Sequence, residues 1–264
     1  MITRFILIFL VSVLLFSCQE TTPTEEAVSE NQELYNPAAQ GFNLVASDER
    51  AIAIADSVMW AQGGRKAWSQ SRYFSWNFFG ARSLWWDKKA GDVRIEVPGD
   101  SLTILVNIHS LEGQVYQGEN AVTHPDTLRQ FMEQGKSIWI NDAYWLFMPF
   151  KLKDTGVTLN YLGKDTTQSG IDAYKLQLLF EEVGDTPQNK YEVLVGSEDY
   201  LVREWSFYGN REDTVPAFTT PWEDYKAYDG ILLSGERGKR DITEIKVYDQ
   251  LPTAVFNSLE VNKN

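Results

Sequence analysis

The chain has 264 residues, a formal net charge of −13 and one cysteine. That acidity disfavours nucleic acid and anionic membrane surfaces as direct partners, and a lone cysteine excludes an intramolecular disulfide. Nine Trp, 12 Tyr and 14 Phe are a heavy aromatic load for this length, and leaving such rings in water forfeits roughly 1.5–3 kcal/mol per large side chain.

The N-terminus joins one cation, Arg4, to an apolar run over 5–16 and then Ser17-Cys18. A short apolar core followed by a small residue describes a secretory signal. The run is too short to span a bilayer, which takes about 20 apolar residues. Leu15-Phe16-Ser17-Cys18 resembles a bacterial lipobox, in which the cysteine becomes the first mature residue and carries lipid. Cys18 is therefore the expected membrane anchor, held by acyl chains worth about 0.8 kcal/mol per buried CH2. Residues 19–41 are rich in Glu, Thr, Ser, Gln, Asn and Pro and read as a flexible tether. The expected organisation is a signal peptide over 1–17, a tether over 18–42 and a single domain over 43–264. The expected location is the cell envelope. Gln19-Glu20 carries no Asp at the second mature position, the enterobacterial inner-membrane signal, which by analogy favours the outer membrane.

A helix is predicted to start at Ser47, a plausible N-cap, with Asp48 and Glu49 in the first turn where the dipole favours acid. Ala51, Ile54, Ala55, Val58 and Met59 share one face at helical spacing. Gly63 or Gly64 ends it, and 65–71 adds a turn or two. The period then drops to two. Strands are predicted over 73–80, 82–87, 92–97, 101–109 and 113–117, joined by short Gly, Asp and Pro turns as an antiparallel meander. Pro125-Asp126 opens a second helical region with Leu128, Phe131 and Met132 on its apolar face, and Gly135 is a point where it could break. The aromatic segment 137–152 follows, and Pro149 ends any helix there. A second meander then covers 157–162, 171–181, 191–195, 200–208, 218–228, 231–235 and 242–248, with Asp229-Gly230 a strong hairpin signal. Residues 251–256 pack back. The class is α+β, β-dominated, with about ten to twelve antiparallel strands and two helical regions.

No catalytic signature emerges. Asp154-Thr155-Gly156 spells the aspartic-protease triplet, but that chemistry needs two carboxylates sharing a proton; one copy beside Lys151 and Lys153 reads as a β-turn. His109 and His124 are the only histidines, too few for a zinc site. His109 beside Ser110 has no nucleophile-elbow pattern around it. Acid pairs such as Glu181, Glu182, Asp224 and Asp229 are no more than chance expects in so acidic a chain. Gly63-Gly64 follows a helix and so cradles no phosphate. No cofactor or metal is implied. The aromatic cluster built from Trp76, Phe78, Phe79, Trp85, Trp86, Trp139, Tyr144, Trp145 and Phe147 is the informative feature. It reads as core packing, as an apolar cavity for an acyl chain or similar ligand, or as a carbohydrate-stacking platform; alternation within strands favours a buried face over an exposed platform.

Two stretches, Trp60-Ala-Gln-Gly-Gly-Arg-Lys-Ala-Trp and Asn141-Asp-Ala-Tyr-Trp-Leu-Phe-Met-Pro-Phe-Lys-Leu, set in this order of elements, resemble the outer-membrane lipoprotein carrier superfamily (LolA-like and LolB-like). The chain also looks like Bacteroidota lipoproteins with such a domain. The resemblance implies a strongly curved antiparallel half-barrel with helices on its concave side and an apolar cavity between them for acyl chains. By position, Ile54, Val58 and Met59 of the first helix would close the cavity, together with Trp139, Trp145, Phe147, Met148 and Phe150. Trp76, Phe78 and Trp85 would line it from the strands. The resemblance implies a non-enzymatic protein. A permanent anchor at Cys18 fits a fixed receptor or sensor better than a shuttle. The expected partners are the membrane, through lipidated Cys18, and a lipid or acyl-chain ligand. The alternative is an envelope interaction module with a filled core and a protein partner, and a hydrolase would require acids or histidines converging in one cleft.

Overall fold

The computed structural model describes residues 36–181 and 184–261. The expected signal segment, Cys18 and most of the expected tether lie outside those residues. Four helices are described: α1 (Glu49–Ala61), α2 (Gly64–Gln70), α3 (Pro125–Phe147) and α4 (Ala254–Asn257). The first strands are β1 (Tyr73–Phe78), β2 (Arg82–Asp87), β3 (Asp92–Val97), β4 (Leu102–Asn107), β5 (Gly113–Gln117) and β6 (Asn120–Ala121). After α3 come β7 (Val157–Thr166), β8 (Asp172–Phe180), β9 (Lys190–Gly196), β10 (Val202–Tyr208) and β11 (Phe218–Pro221). The last are β12 (Glu223–Tyr228), β13 (Ile231–Glu236) and β14 (Ile242–Tyr248).

Short turns make sequence neighbours into sheet neighbours. Seven strands form a curved antiparallel sheet in the order β14-β1-β2-β3-β4-β5-β6. Five more pair as β11-β10-β9-β8-β7, and β12 and β13 form a hairpin of their own. The β-dominated α+β class is as expected, and no barrel closes. The strands number fourteen and divide among three sheets. The stretch expected as one strand over 218–228 breaks at Trp222. There the chain leaves the five-stranded sheet: Trp222 N–H still donates to the Arg203 carbonyl at 2.8 Å, while its buried indole lies under the Arg237 guanidinium at 3.8 Å.

The β12–β13 hairpin thus joins the two larger sheets, following β11 at one end and leading to β14 at the other. Arg237, just beyond β13, is buried and donates to the carbonyls of Trp145 (2.8 Å) and Ser234 (3.0 Å) and to the Ser234 hydroxyl (2.9 Å). Burial pushes its pKa down from the usual guanidinium value. Cation–π stacking on Trp222 and four oxygen acceptors, the fourth being the Glu236 carbonyl at 2.7 Å, hold the charge in place of a carboxylate partner.

Two apolar cores result. One lies under the seven-stranded sheet and contains Trp76, Leu84, Ile95, Ile104 and, from α3, Met132 and Phe147. The other lies under the five-stranded sheet and contains Ile54 and Val58 of α1 with Leu159, Leu178, Val195 and Trp205. Among the described residues, every member of both cores lies between Phe42 and Val247, all of them within a chain beginning at Gln19. Gly135 does not interrupt α3. It lets the helix approach β4, where an added Cβ would sit 2.9 Å from Ile104 Cγ2.

Two local expectations change. Ser47 and Asp48 do not cap α1 with their side chains. Instead Leu159 N–H donates to Ser47 Oγ (3.0 Å) and Tyr161 N–H to Asp48 Oδ2 (2.7 Å), stitching the helix start to β7. Residues 36–42, expected in the tether, belong to the fold: Asn36 donates to Asp56 at 2.7 Å, Ala39 N–H donates to the Lys153 carbonyl at 2.9 Å, and Phe42 is buried. One apolar ring and satisfied backbone groups outweigh the polar composition of that segment. At the other end, 254–259 docks on the outer face of the seven-stranded sheet, where buried Arg94 donates to the carbonyls of Val255 (3.1 Å), Ser258 (2.7 Å) and Leu259 (2.7 Å).

The Gly-Gly step between α1 and α2 is a tight joint. Gly63 has φ +105°, and a Cβ there would stand 2.1 Å from the Gly230 carbonyl oxygen. Gly63→Ala is expected to cost about 3 kcal/mol in urea denaturation, whereas Gly80→Ala, at φ +70° with open space around it, costs about 1 kcal/mol. Asp87, at the end of β2, supplies a pH signature. Burial raises its pKa, but bonds from Arg72 (2.7 and 2.9 Å) and from two turn N–H groups outweigh it and hold the carboxyl below its ordinary 3.8. The unfolded chain then binds the proton first on acidification, so this contribution is complete above the ordinary value and is lost as pH falls below it. Asp87→Asn is expected to flatten the acid limb of stability measured against pH.

Candidate functional site

The C-terminal half of α3 is aromatic on more than one side, so a single sheet cannot cover it. Trp145 shows the consequence. Its ring lies 5.1 Å from Phe79 of the β1–β2 turn, 4.6 Å from Trp205 of β10 and 5.6 Å from Phe218 of β11. It therefore touches both cores. Large rings held between two sheets by one helix do not fill the space on the concave side. A cavity of about 620 Å³ remains, within the range of small-ligand sites.

Among the described residues, nine aromatic side chains line it. Trp68, Trp86, Trp139 and Phe147 form one side, with Trp86 edge-on to Trp139 at 5.3 Å and near Phe147 at 5.5 Å. Tyr144, Phe180, Tyr191 and Trp205 form the other, with Tyr191 stacked on Tyr144 at 5.5 Å and edge-on to Trp205 at 5.0 Å. Among the described residues, the indole nitrogens of Trp86, Trp139 and Trp205 and the Tyr144 hydroxyl are buried without hydrogen-bond partners. Burial pushes the Tyr144 pKa well above its ordinary value, with Tyr191 and Asp154 adding to it, so the group stays a neutral donor.

The polar groups of the wall are largely paired with each other. Arg82 holds Asp142 with two bonds of 2.6 Å, and Asp142 is 0 % exposed. Burial raises the Asp142 pKa, and Arg82 opposes that rise. Lys151 pairs with Asp154 at 2.5 Å, and Ser137 donates to Asp185. Asp154-Thr155-Gly156 forms the turn after α3, with Gly156 N–H donating to the Gly41 carbonyl at 2.8 Å. His124 stands at the N-cap of α3, and His109 lies in the β4–β5 turn. Among the described residues no group of three or more His, Cys, Asp or Glu could hold a metal ion.

Of the residues expected at the cavity, Trp139, Trp145 and Phe147 line it. Ile54, Val58 and Met148 instead sit in the core under the five-stranded sheet, and Met59, Trp76, Phe78 and Phe150 in the core under the seven-stranded one. Strand alternation sends Trp85 to the face opposite Leu84 and Trp86, across from Ser75 and Arg94. The second meander contributes Phe180, Tyr191 and Trp205, none of which the sequence singled out. Their signal was positional: Phe180 ends β8 and Tyr191 lies near the start of β9, so one hairpin brings both aromatics to the same end.

The Arg82–Asp142 pair generates a test. Arg82→Met strands a buried carboxylate and is expected to cost about 3–5 kcal/mol near neutral pH, while Arg82→Met with Asp142→Leu recovers most of it. Because the stranded Asp142 has a raised pKa, it protonates in the folded state first. The deficit of the single variant should therefore shrink as pH falls, as read by urea midpoints across the acid range.

No protein-family model matches the chain, and no curated protein matches it. Solved structures do. A DUF1329 family protein from Desulfovibrio piger is similar at 16 % identity and TM-score 0.46, over 80 % of this chain and 98 % of that one. A putative outer membrane lipoprotein-sorting protein domain from Vibrio parahaemolyticus is similar at 11 % identity and TM-score 0.41, over 79 % of this chain and 97 % of that one. A LolA superfamily protein from Nitrosomonas europaea is similar at 10 % identity and TM-score 0.38, again over 79 % and 97 %.

Proposed function

We propose that this chain is a lipid-anchored, non-enzymatic protein of the cell envelope that binds the acyl part of a lipid or lipoprotein in the aromatic cavity beside α3. The observation that carries the reading is that cavity: about 620 Å³ on the concave side, walled by five of the nine tryptophans. An acyl chain entering it exchanges water for ring faces, at roughly 0.8 kcal/mol per buried CH2. The wall's cations, Arg82 and Lys151, already have carboxylate partners, which leaves apolar contact as the dominant attraction. Lipidation of Cys18 rests on Leu15-Phe16-Ser17-Cys18 and on Cys18 being the only cysteine. An anchored binder of this kind receives or senses an amphiphile at one membrane.

The test is uptake of an apolar fluorescent probe, N-phenyl-1-naphthylamine, by the chain beginning at Gln19. Saturable binding is expected. Ala143→Leu, which pushes extra carbons into the space that Ala143 borders, should weaken it about tenfold, with a stability cost of about 1–3 kcal/mol that leaves the chain folded. A filled core, the mark of an interaction module, would give no uptake by either protein. Anchoring is checked separately: Cys18→Ser should release the full chain from membranes into the soluble fraction.

A further inference from the structure

Beside the aromatic cavity lies a wider, more open recess of about 1010 Å³ to which the reading above gives no role. The two meet at Thr155, which lines both. Chain continuity marks the same boundary twice more. Val157 and Phe180 wall the cavity, and their neighbours Gly156 and Glu181 wall the recess.

Among the described residues, no aromatic ring lines the recess, and charged and amide side chains make up more of its wall than of the cavity's. Besides Asn43, which donates to Thr158 Oγ1 at 2.9 Å, the recess side holds two amides, Gln188 and Asn210, and two carboxylates, Glu181 and Glu212. Among the described residues, none of these four side chains forms a hydrogen bond or ion pair. The one cation of the lining, Arg211, is already engaged by the carbonyls of Phe180 and Pro187. The recess therefore offers free donors and acceptors and an excess of negative charge, two carboxylates against the one Arg211 cation.

We propose that this recess is the headgroup subsite of the aromatic cavity and takes an uncharged, hydroxyl-rich head, as on a glycosyl or polyol amphiphile. The proposal rests on the acyl-binding reading of the cavity. A hydroxyl donates to a carboxylate and accepts from an amide N–H, so it uses both kinds of free group present. A phosphate or carboxylate head meets Glu181 and Glu212 with only Arg211 to offset them, and the net negative lining opposes its binding. Thr155 then marks the point at which head passes into chain.

Competition against bound N-phenyl-1-naphthylamine, with ligands of one chain length below their micelle concentrations, tests this on the chain beginning at Gln19. Decyl maltoside is expected to displace the probe at a concentration about tenfold below that needed for decyl phosphate, a ratio equivalent to ~1.4 kcal/mol. Gln188→Ala with Asn210→Ala, both exposed positions, should raise the decyl maltoside midpoint about fivefold and leave that of 1-decanol unchanged. Decyl phosphate or decyltrimethylammonium competing as well as decyl maltoside overturns the headgroup assignment and leaves the cavity intact. So does a variant that shifts decanol and maltoside alike. Failure of the probe and of every decyl ligand to bind overturns the cavity reading and the headgroup subsite with it.

Discussion

Trp145 stands where the two cores meet, and its backbone carbonyl is held by the buried Arg237 guanidinium at 2.8 Å. That contact ties the end of α3 to the hairpin joining the sheets. Arg237 in turn is held by Trp222, the residue at which the chain crosses from β11 to β12. Helix, hairpin and strand break are thus fixed at one place by a cation, an indole face and a few carbonyls. A buried charge without such partners costs several kcal/mol, so the three elements hold their positions together or lose them together.

The cavity follows from that constraint. α3 is pressed onto β4 through Gly135 and anchored at its other end through Trp145, so it cannot shift to fill the concave side. The rings around it pack against each other at 4.6–5.6 Å, the spacing of ordinary aromatic pairs, and the space they leave is bordered by ring faces and edges. Polar groups at its border are paired in place, as Arg82 is with Asp142 and Lys151 with Asp154. Among the described residues, Glu181, Gln188, Asn210 and Glu212, whose side chains are unpaired, line the recess past Thr155.

The strand segments were legible because hydrophobic alternation and turn residues carry local information. β2, β3, β5 and β14 fall on their expected spans, and the Asp229-Gly230 turn forms its hairpin. The α1 face of Ile54, Val58 and Met59 was legible as buried but not as core, because periodicity reports which face is covered and not what covers it. Trp139, Trp145 and Phe147 border the cavity, and the sequence marked them by an aromatic cluster larger than two facing sheets usually require. Trp85 was misplaced because density alone ignores strand parity, which sends it away from Trp86. Phe180, Tyr191 and Trp205 carried no local mark; they reach the cavity through the non-local pairing of β8, β9 and β10. The break at Trp222 was equally hidden, since only the Arg237 contact shows why the strand must stop there.

Native mass spectrometry of the chain beginning at Gln19, followed by lipid extraction, addresses the central claim most directly. The account predicts a bound acyl-bearing species at one per chain, lost from Ala143→Leu. A clean mass of the chain alone, from a preparation that also takes up no N-phenyl-1-naphthylamine, would contradict it and show the aromatic segment to be core.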